Sequence, residues 1–119
     1  MACIMIVDDT KIFRKILRDI LEDLGHEITL EAASGEEALK LFDISIVDCV
    51  LLDVEMGGIS GIETLRVLKE REPDVKAILV SSIADAGRLR EAMHEGAICA
   101  IQKPIQMEAL QEALNKALA

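Results

Sequence analysis

Five short apolar runs alternate with amphipathic segments along the whole chain. This alternation is typical of βαβ units, in which helices cover both faces of a parallel sheet. Strands covered on both faces are almost wholly apolar, and four of the five runs have that character. The second run alternates between apolar and polar residues, which indicates the edge of the sheet. The sequence therefore predicts an α/β fold with strands at residues 3–7, 28–32, 46–52, 77–81 and 97–101.

The segments between the apolar runs carry the signals of five helices. In the first, apolar residues recur at helical spacing and Gly25 then marks the end. Ser34 with Glu37, and Ser60 with Glu63, each fit a capping box at the start of a helix. The apolar face of the first helix comprises Ile12, Phe13, Ile16, Leu17, Ile20, Leu21 and Leu24, and the last two helices are predicted at residues 86–94 and 107–118.

The length and the charge limit what such a chain can be. Its 119 residues, 51% of them hydrophobic, suit one domain spanning residues 1–119. The 22 acidic and 13 basic side chains give a net charge of -9, which disfavours direct binding to nucleic acid or to anionic lipid. No apolar stretch reaches the roughly 18 residues that span a bilayer, and the first residues do not resemble a signal peptide. We therefore expect a cytoplasmic protein that binds no membrane.

Cys3, Cys49 and Cys99 are widely spaced, and each lies within an apolar run. The sequence has no Cys-x-x-Cys pair and no His at the spacing of a zinc site. We therefore expect small buried side chains in a reduced compartment rather than reactive thiols.

Charged residues follow three of the apolar runs. Asp8 and Asp9 follow the first, Asp53 follows the third, and Lys103 follows the fifth. If these runs are neighbouring parallel strands, their carboxyl ends bring three carboxylates and one ammonium into one crevice, where open α/β sheets bind ligands. Close carboxylates repel one another unless a cation lies among them, and oxygen ligands suit Mg²⁺. The cluster therefore predicts a magnesium site and phosphoryl chemistry.

An acidic pair after the first strand, a lone Asp after the third, a Ser after the fourth and a Lys-Pro pair after the fifth occur here in one order. This ordered set resembles the receiver domain of bacterial two-component response regulators, and the length is similar to that of single-domain, CheY-like members. The segment at residues 33–39 is also similar to the family. The resemblance spans residues 1–119 and implies a doubly wound (βα)5 flavodoxin-like three-layer sandwich with sheet order 2-1-3-4-5.

The resemblance implies that Asp8, Asp9 and Asp53 bind Mg²⁺, with the backbone carbonyl of Glu55 as a further ligand. A bound metal offsets the charge that develops on phosphoryl oxygens. The simpler alternative is that Asp9 or Thr10 only caps the first helix, and both interpretations can hold for Asp9. The side chain of Glu55 adds a fourth carboxylate, which either strengthens cation binding or hinders an anionic donor.

The resemblance also implies that Asp53 accepts the phosphoryl group and becomes an aspartyl phosphate. The amine of Lys103 would pair with Asp53 at rest and with a phosphoryl oxygen afterwards, and the Lys103–Pro104 peptide would be cis. The hydroxyl of Ser81 would donate to a phosphoryl oxygen. The alternatives are an Asp or a Ser that caps a loop, and a Lys that is a solvated loop cation.

The phosphoryl donor and the reader of the signal must be other proteins. The resemblance implies a sensor histidine kinase or a phosphotransfer protein as the donor, and an unidentified output protein as the reader. Receivers commonly have Tyr or Phe where this chain has Ala100, and often have Pro where it has Gly57. The missing aromatic leaves the phosphorylation chemistry in place but changes the route by which the signal leaves the site.

Three functions remain open at the level of sequence. The leading one is a signalling phosphoacceptor that catalyses its own phosphorylation and dephosphorylation and is not otherwise an enzyme. A pseudo-receiver, acting as a constitutive protein-interaction domain, gains support from Ala100. A phosphatase of the haloacid dehalogenase type also starts from an Asp after the first strand, but that family requires Asp-x-Asp, and Thr10 stands two residues after Asp8.

Overall fold

The computed structural model describes residues 1–82 and 87–119, in which strands and helices alternate. The strands are β1 (Cys3–Val7), β2 (Glu27–Ala32), β3 (Cys49–Asp53), β4 (Ala77–Ser81) and β5 (Cys99–Gln102), and the helices are α1 (Lys11–Asp23), α2 (Gly35–Leu41), α3 (Gly61–Arg71), α4 (Leu89–His94) and α5 (Met107–Leu118). All the strands are parallel, in the predicted order β2-β1-β3-β4-β5. No helix in the described part of the chain is long and apolar enough to cross a membrane.

Helices cover both faces of the sheet, so the molecule has three layers. Side chains alternate along β1: Ile4 and Ile6 lie on one face, and Met5 and Val7 lie on the other. The first face packs against α1 and α5, and the second packs against α2, α3 and α4. Every residue of β3 and β4 is buried, because both faces of these strands are covered. The predicted doubly wound α/β fold is confirmed.

β3 begins three residues later than predicted. A carboxylate oxygen of Asp43 accepts hydrogen bonds from the backbone N–H of Ser45 at 2.9 Å and from the Ser45 hydroxyl at 2.6 Å. This turn keeps residues 44–46 out of the sheet and leaves Ile46 44% exposed. Pairing with β1 starts only at Cys49. The predicted start at residue 46 is wrong because apolar character alone does not distinguish a turn from a strand.

β5 also begins later than predicted. The backbone N–H of Ala97 donates to the carbonyl of Ala92 at 3.3 Å, so Ala97 closes the end of α4 instead of starting β5. Gly96, with a φ of 100°, makes this turn. α4 has Leu89 as its first residue. Ala86, where the sequence places the start of that helix, lies outside the described residues.

The two predicted capping boxes have different outcomes. At α3 the box is complete: the Ser60 hydroxyl accepts from the backbone N–H of Glu63, and the Glu63 carboxylate accepts from the backbone N–H of Ser60. At α2 the Ser34 hydroxyl accepts from the backbone N–H of Glu37 at 3.0 Å, but the Glu37 carboxylate accepts from Ala33. The capping box at α2 is therefore confirmed for Ser34 only.

α1 buries a narrower face than its sequence predicts. Leu17 and Leu21 are fully buried, whereas Ile12 is 73% exposed and Ile16 is 47% exposed. The sheet covers only part of the circumference of a helix, and the apolar stripe of α1 is wider than the covered part. The apolar face predicted from the sequence is therefore wider than the face that α1 buries.

Cys49 is buried, but Cys3 and Cys99 are only half-buried. Burial raises the pKa of the Cys49 thiol to about 12, so this thiol stays protonated and unreactive near neutral pH. All three side chains are free thiols. The prediction of buried cysteines is confirmed for Cys49 and is wrong for the other two.

Candidate functional site

Charged side chains meet at the carboxyl edge of the sheet. Asp8 and Asp9 follow β1, Asp53 ends β3, and Lys103 follows β5. One carboxylate oxygen from each of the three aspartates lies within 4.8 Å of the other two. The amine of Lys103 lies 3.4 Å from the carboxylate of Asp8 and 3.5 Å from that of Asp53. The structure thus brings together the four charged side chains that the sequence places in one crevice.

Two of the three carboxylates are removed from water. Asp8 and Asp53 are buried, whereas Asp9 is exposed. Burial, followed by the nearby charge of Asp8, raises the pKa of Asp53, and the positive charge of Lys103 acts in the opposite direction. One ammonium beside three carboxylates leaves an excess of negative charge. A group of hard oxygen ligands with this excess fits a divalent cation such as Mg²⁺.

Asp8 lies in the connection between β1 and α1 and makes hydrogen bonds through both its backbone and its carboxylate. Its backbone N–H donates to the carbonyl of Ala32 at 3.0 Å, and its carboxylate accepts from the backbone N–H of Thr10 at 2.7 Å. Thr10 is the N-cap residue of α1, but its side chain makes no capping hydrogen bond. Asp9 precedes the N-cap. The alternative in which a side chain of Asp9 or Thr10 only caps the helix is therefore wrong.

Lys103 is held from both its backbone and its side chain. Its backbone N–H donates to the carbonyl of Ser81 at 2.8 Å, which joins it to the end of β4. The Lys103–Pro104 peptide is cis, as the family resemblance implies. The ammonium lies 4.2 Å from the centre of the Phe13 ring, within the range of a cation–π contact. Lys103 is therefore not a solvated loop cation. Phe13 packs against the core as predicted, and it also contacts the site, which the sequence did not indicate.

Ser81, the last residue of β4, is fully buried. Within the described ranges its hydroxyl is the one buried side-chain polar atom that has no hydrogen-bond partner. Leaving a buried hydroxyl unpaired costs about 1–3 kcal/mol. The hydroxyl therefore does not cap a loop, and it is available to donate to an anion at the site.

The loop after Asp53 packs tightly against the start of α3. The backbone N–H of Gly61 donates to the carbonyl of Val54 at 3.0 Å. A Cβ atom at Gly61 would lie 2.0 Å from the carbonyl oxygen of Asp53, a distance that only a residue without a side chain permits. Gly61 therefore determines how closely α3 approaches the end of β3, a role that the residue type alone does not indicate.

Gly61→Ala is expected to destabilise the fold by about 1–3 kcal/mol, because the added methyl group collides with backbone atoms. Urea unfolding followed by circular dichroism measures this difference, since the chain contains neither Trp nor Tyr. Gly57→Ala, in the loop that precedes α3, is the matched control: a Cβ there meets nothing within 4 Å, so stability should stay equal or rise slightly. Equal stability of the two variants would show that α3 moves away from Asp53 without a penalty.

Glu55 directs its carboxylate away from the aspartates. It forms an ion pair with Arg88 at 3.1 Å, and its side chain is 64% exposed. Arg88 immediately precedes α4, so this pair joins the loop after β3 to the start of that helix. The side chain of Glu55 therefore neither joins the acidic cluster nor adds its full charge to it.

Ala100 lies in β5, where receivers commonly carry an aromatic ring. It is half-buried and lines a groove of about 170 Å³ between β5 and α5. The two aromatic residues of the chain, Phe13 and Phe42, pack on α1 and at the end of α2. No aromatic ring therefore occupies this position of β5.

The chain matches known proteins over nearly its whole length. The family model for the response regulator receiver domain matches residues 4–115. The chemotaxis protein CheY of Listeria monocytogenes is 35% identical over 117 residues, which cover 98% of each protein. A chain of the CheX–CheY complex with beryllium fluoride and Mg²⁺ from Borrelia burgdorferi superposes with a TM-score of 0.93 at 26% identity, over 99% of this chain and 90% of that one. Response regulator TrrA of Thermotoga maritima, solved with Mg²⁺ and beryllium fluoride, superposes with a TM-score of 0.88 at 34% identity, over 99% of this chain and 100% of that one.

Proposed function

The chain belongs to the response regulator receiver domain family, and on that basis we propose that it is the phosphoacceptor module of a two-component system. Asp53 would take the phosphoryl group from a phosphohistidine of a sensor histidine kinase or of a phosphotransfer protein. Residues 1–119 would form one receiver domain. The observation that supports this most is the pairing of the Lys103 amine, at 3.5 Å, with a buried Asp53 that has two further carboxylates within 4.8 Å.

Asp53 supplies the nucleophile in this proposal. One of its carboxylate oxygens attacks phosphorus opposite the donor's imidazole nitrogen, so the new O–P bond forms as the N–P bond breaks. The imidazole leaves with the electron pair of the broken bond and takes up a proton. Lys103 favours the ionised form of Asp53 before the transfer, and its amine pairs with a phosphoryl oxygen afterwards.

Asp8, Asp9 and Asp53, together with the backbone carbonyl of Glu55, would hold Mg²⁺. The ion would offset negative charge on the phosphoryl oxygens when bound. Support comes from the convergence of three hard oxygen ligands at this edge of the sheet. Two similar proteins solved with Mg²⁺ and beryllium fluoride agree with this choice of metal.

Ser81 would start the conformational response. Its hydroxyl, unpaired within the described ranges, would donate to a phosphoryl oxygen, and its carbonyl already binds the backbone of Lys103 after β5. Because Ala100 replaces the usual aromatic, the signal would leave through movement of α4 and β5. The reader would be an unidentified output protein, as CheX is a partner of CheY in the similar complex.

Amide hydrogen exchange with and without Mg²⁺ and beryllium fluoride, a mimic of the phosphoryl group, tests this switch. In the wild type we expect the exchange rates of the amides in α4 and β5 to change by at least about fivefold. This factor is the lower end of the range that is typical of coupling between two sites. In Ser81→Ala we expect changes only beside Asp53. Ser45→Ala, which removes an exposed hydroxyl from the turn before β3, is the matched control and should respond like the wild type.

The pseudo-receiver is the alternative that this experiment distinguishes. Its support is Ala100, which removes the usual aromatic from β5. If exchange in the wild type changes only beside Asp53 and never within residues 87–102, the chain binds the mimic without switching, and constitutive protein interaction becomes the better explanation.

A further inference from the structure

We propose that Arg14 is a positioning residue that holds the turn between β1 and α1 in the geometry that binds the metal ion. This inference rests on the proposed function, because it concerns the Mg²⁺ site proposed above. Arg14 lies in the first turn of α1, and its side chain is 16% exposed. Its Nη1 donates to the carbonyl oxygen of Asp8 at 2.5 Å, and its Nε donates to the carboxylate of Glu31 at 3.3 Å. The guanidinium thus bridges the metal-ligand turn and β2.

The carbonyl of Asp8 is well placed to control two proposed metal ligands. The peptide that joins Asp8 to Asp9 is planar, so a bond to its oxygen also fixes the direction in which the chain continues into Asp9. Arg14 binds this backbone oxygen and pairs its charge with Glu31, so it neutralises neither ligand directly. The acidic cluster therefore gains a fixed geometry and keeps its charge for a cation.

Glu31 orients the guanidinium of Arg14. It lies on β2 opposite Ile6 of β1, and its two carboxylate oxygens accept from Arg14 and from Arg18. The two arginines are four residues apart, which places them on the same face of α1. Arg18 shares Glu31 but has no bond to Asp8 among its hydrogen bonds in the described part of the chain. Arg18 is therefore a matched control for Arg14.

Charge and geometry predict opposite effects of removing Arg14. Arg14→Gln takes a positive charge away from an acidic site, which by Coulomb interaction alone strengthens Mg²⁺ binding. The same substitution frees the peptide between Asp8 and Asp9, which weakens Mg²⁺ binding. Residues that orient metal ligands typically contribute about 10–100-fold in affinity, so we expect Arg14→Gln to bind Mg²⁺ about tenfold more weakly.

Isothermal titration calorimetry with Mg²⁺ alone tests this expectation on the wild type, Arg14→Gln, Arg14→Lys and Arg18→Gln, after circular dichroism has verified that each is folded. Arg14→Lys should bind more weakly than the wild type, because a single ammonium does not reproduce the planar fork that reaches both Asp8 and Glu31. Arg18→Gln should bind as tightly as the wild type or slightly more tightly.

Each outcome supports or overturns the proposal. Equal or tighter binding by Arg14→Gln overturns the positioning role, and so does an equal loss in Arg18→Gln. If the wild type itself binds no Mg²⁺, the proposed function fails, and this inference fails with it. Should Arg14→Gln not fold, Glu31→Gln releases the guanidinium while Arg14 stays in place, and an unchanged Mg²⁺ affinity in that variant overturns the role.

Discussion

Asp53→Asn is expected to reduce phosphoryl uptake to background. The amide has nearly the size of the carboxylate but lacks the charged oxygen that attacks phosphorus, and Asp53 is the one acidic residue of β3. Incubation with acetyl phosphate and Mg²⁺, followed by mass spectrometry of the intact protein, measures the uptake. Labelling of the variant at the wild-type level would assign the acceptor to another residue.

Two controls separate loss of the acceptor from loss of the fold. Asp48→Asn makes the same change at the exposed carboxylate just before β3, and it should be labelled like the wild type. Without metal, Asp53→Asn should be at least as stable as the wild type. Burial and the charge of Asp8 raise the pKa of Asp53, so its ionised form opposes folding. This destabilisation is complete at pH values above the raised pKa of Asp53, and it is lost as the pH falls to the ordinary pKa of an aspartate. The stabilities of Asp53→Asn and the wild type should therefore converge at acidic pH.

Asp9→Asn is expected to weaken Mg²⁺ binding by at least about tenfold, because even residues that only orient metal ligands contribute about 10–100-fold in affinity. It removes one of three clustered carboxylates, and because Asp9 is exposed, the fold should be unaffected. Phosphorylation at subsaturating Mg²⁺ should slow in proportion. Calorimetric titration with Mg²⁺ measures the affinity.

The control for Asp9 is Asp23→Asn at the other end of α1, an exposed acidic residue outside the cluster. It changes the net charge of the protein by the same amount and should leave the affinity nearly unchanged. Equal Mg²⁺ affinities of Asp9→Asn and the wild type would refute the metal role of Asp9.

The α/β fold class and the placement of the cluster were predictable because they depend on patterns that span many residues, whereas the sheet order was implied by the family resemblance. Apolar runs separated by amphipathic segments indicate βαβ units, and charged residues that follow parallel strands meet at one edge of the sheet. The ends of the elements depend on local hydrogen bonds instead. The turn of Asp43 with Ser45, which delays β3, and the closing bond of Ala97 after α4 are such cases. Hydrophobic patterns in the sequence do not reveal these local hydrogen bonds.

The contacts that support the site were less predictable than its charged residues. Acidic residues at strand ends are visible in the sequence. The hydrogen bond from Arg14 to the carbonyl of Asp8, in contrast, depends on the conformation of the Arg14 side chain across the first turn of α1. The approach of the Lys103 ammonium to Phe13 joins residues far apart in the chain. The sequence indicates Arg14 only as a basic residue within two helical turns of an acidic pair at a helix start.

The position of the phosphoryl group decides most directly whether Asp53 is the phosphoacceptor. The wild-type protein is incubated with Mg²⁺ and a phosphorylated histidine kinase, or with acetyl phosphate, and peptide mass spectrometry identifies the modified residue before and after hydroxylamine, which cleaves acyl phosphates. A hydroxylamine-labile phosphoryl group on Asp53 is the result that we predict. Turnover of phosphate through Asp8, or no adduct on Asp53 in the presence of Mg²⁺, would contradict the assignment of this chain as a phosphoacceptor switch.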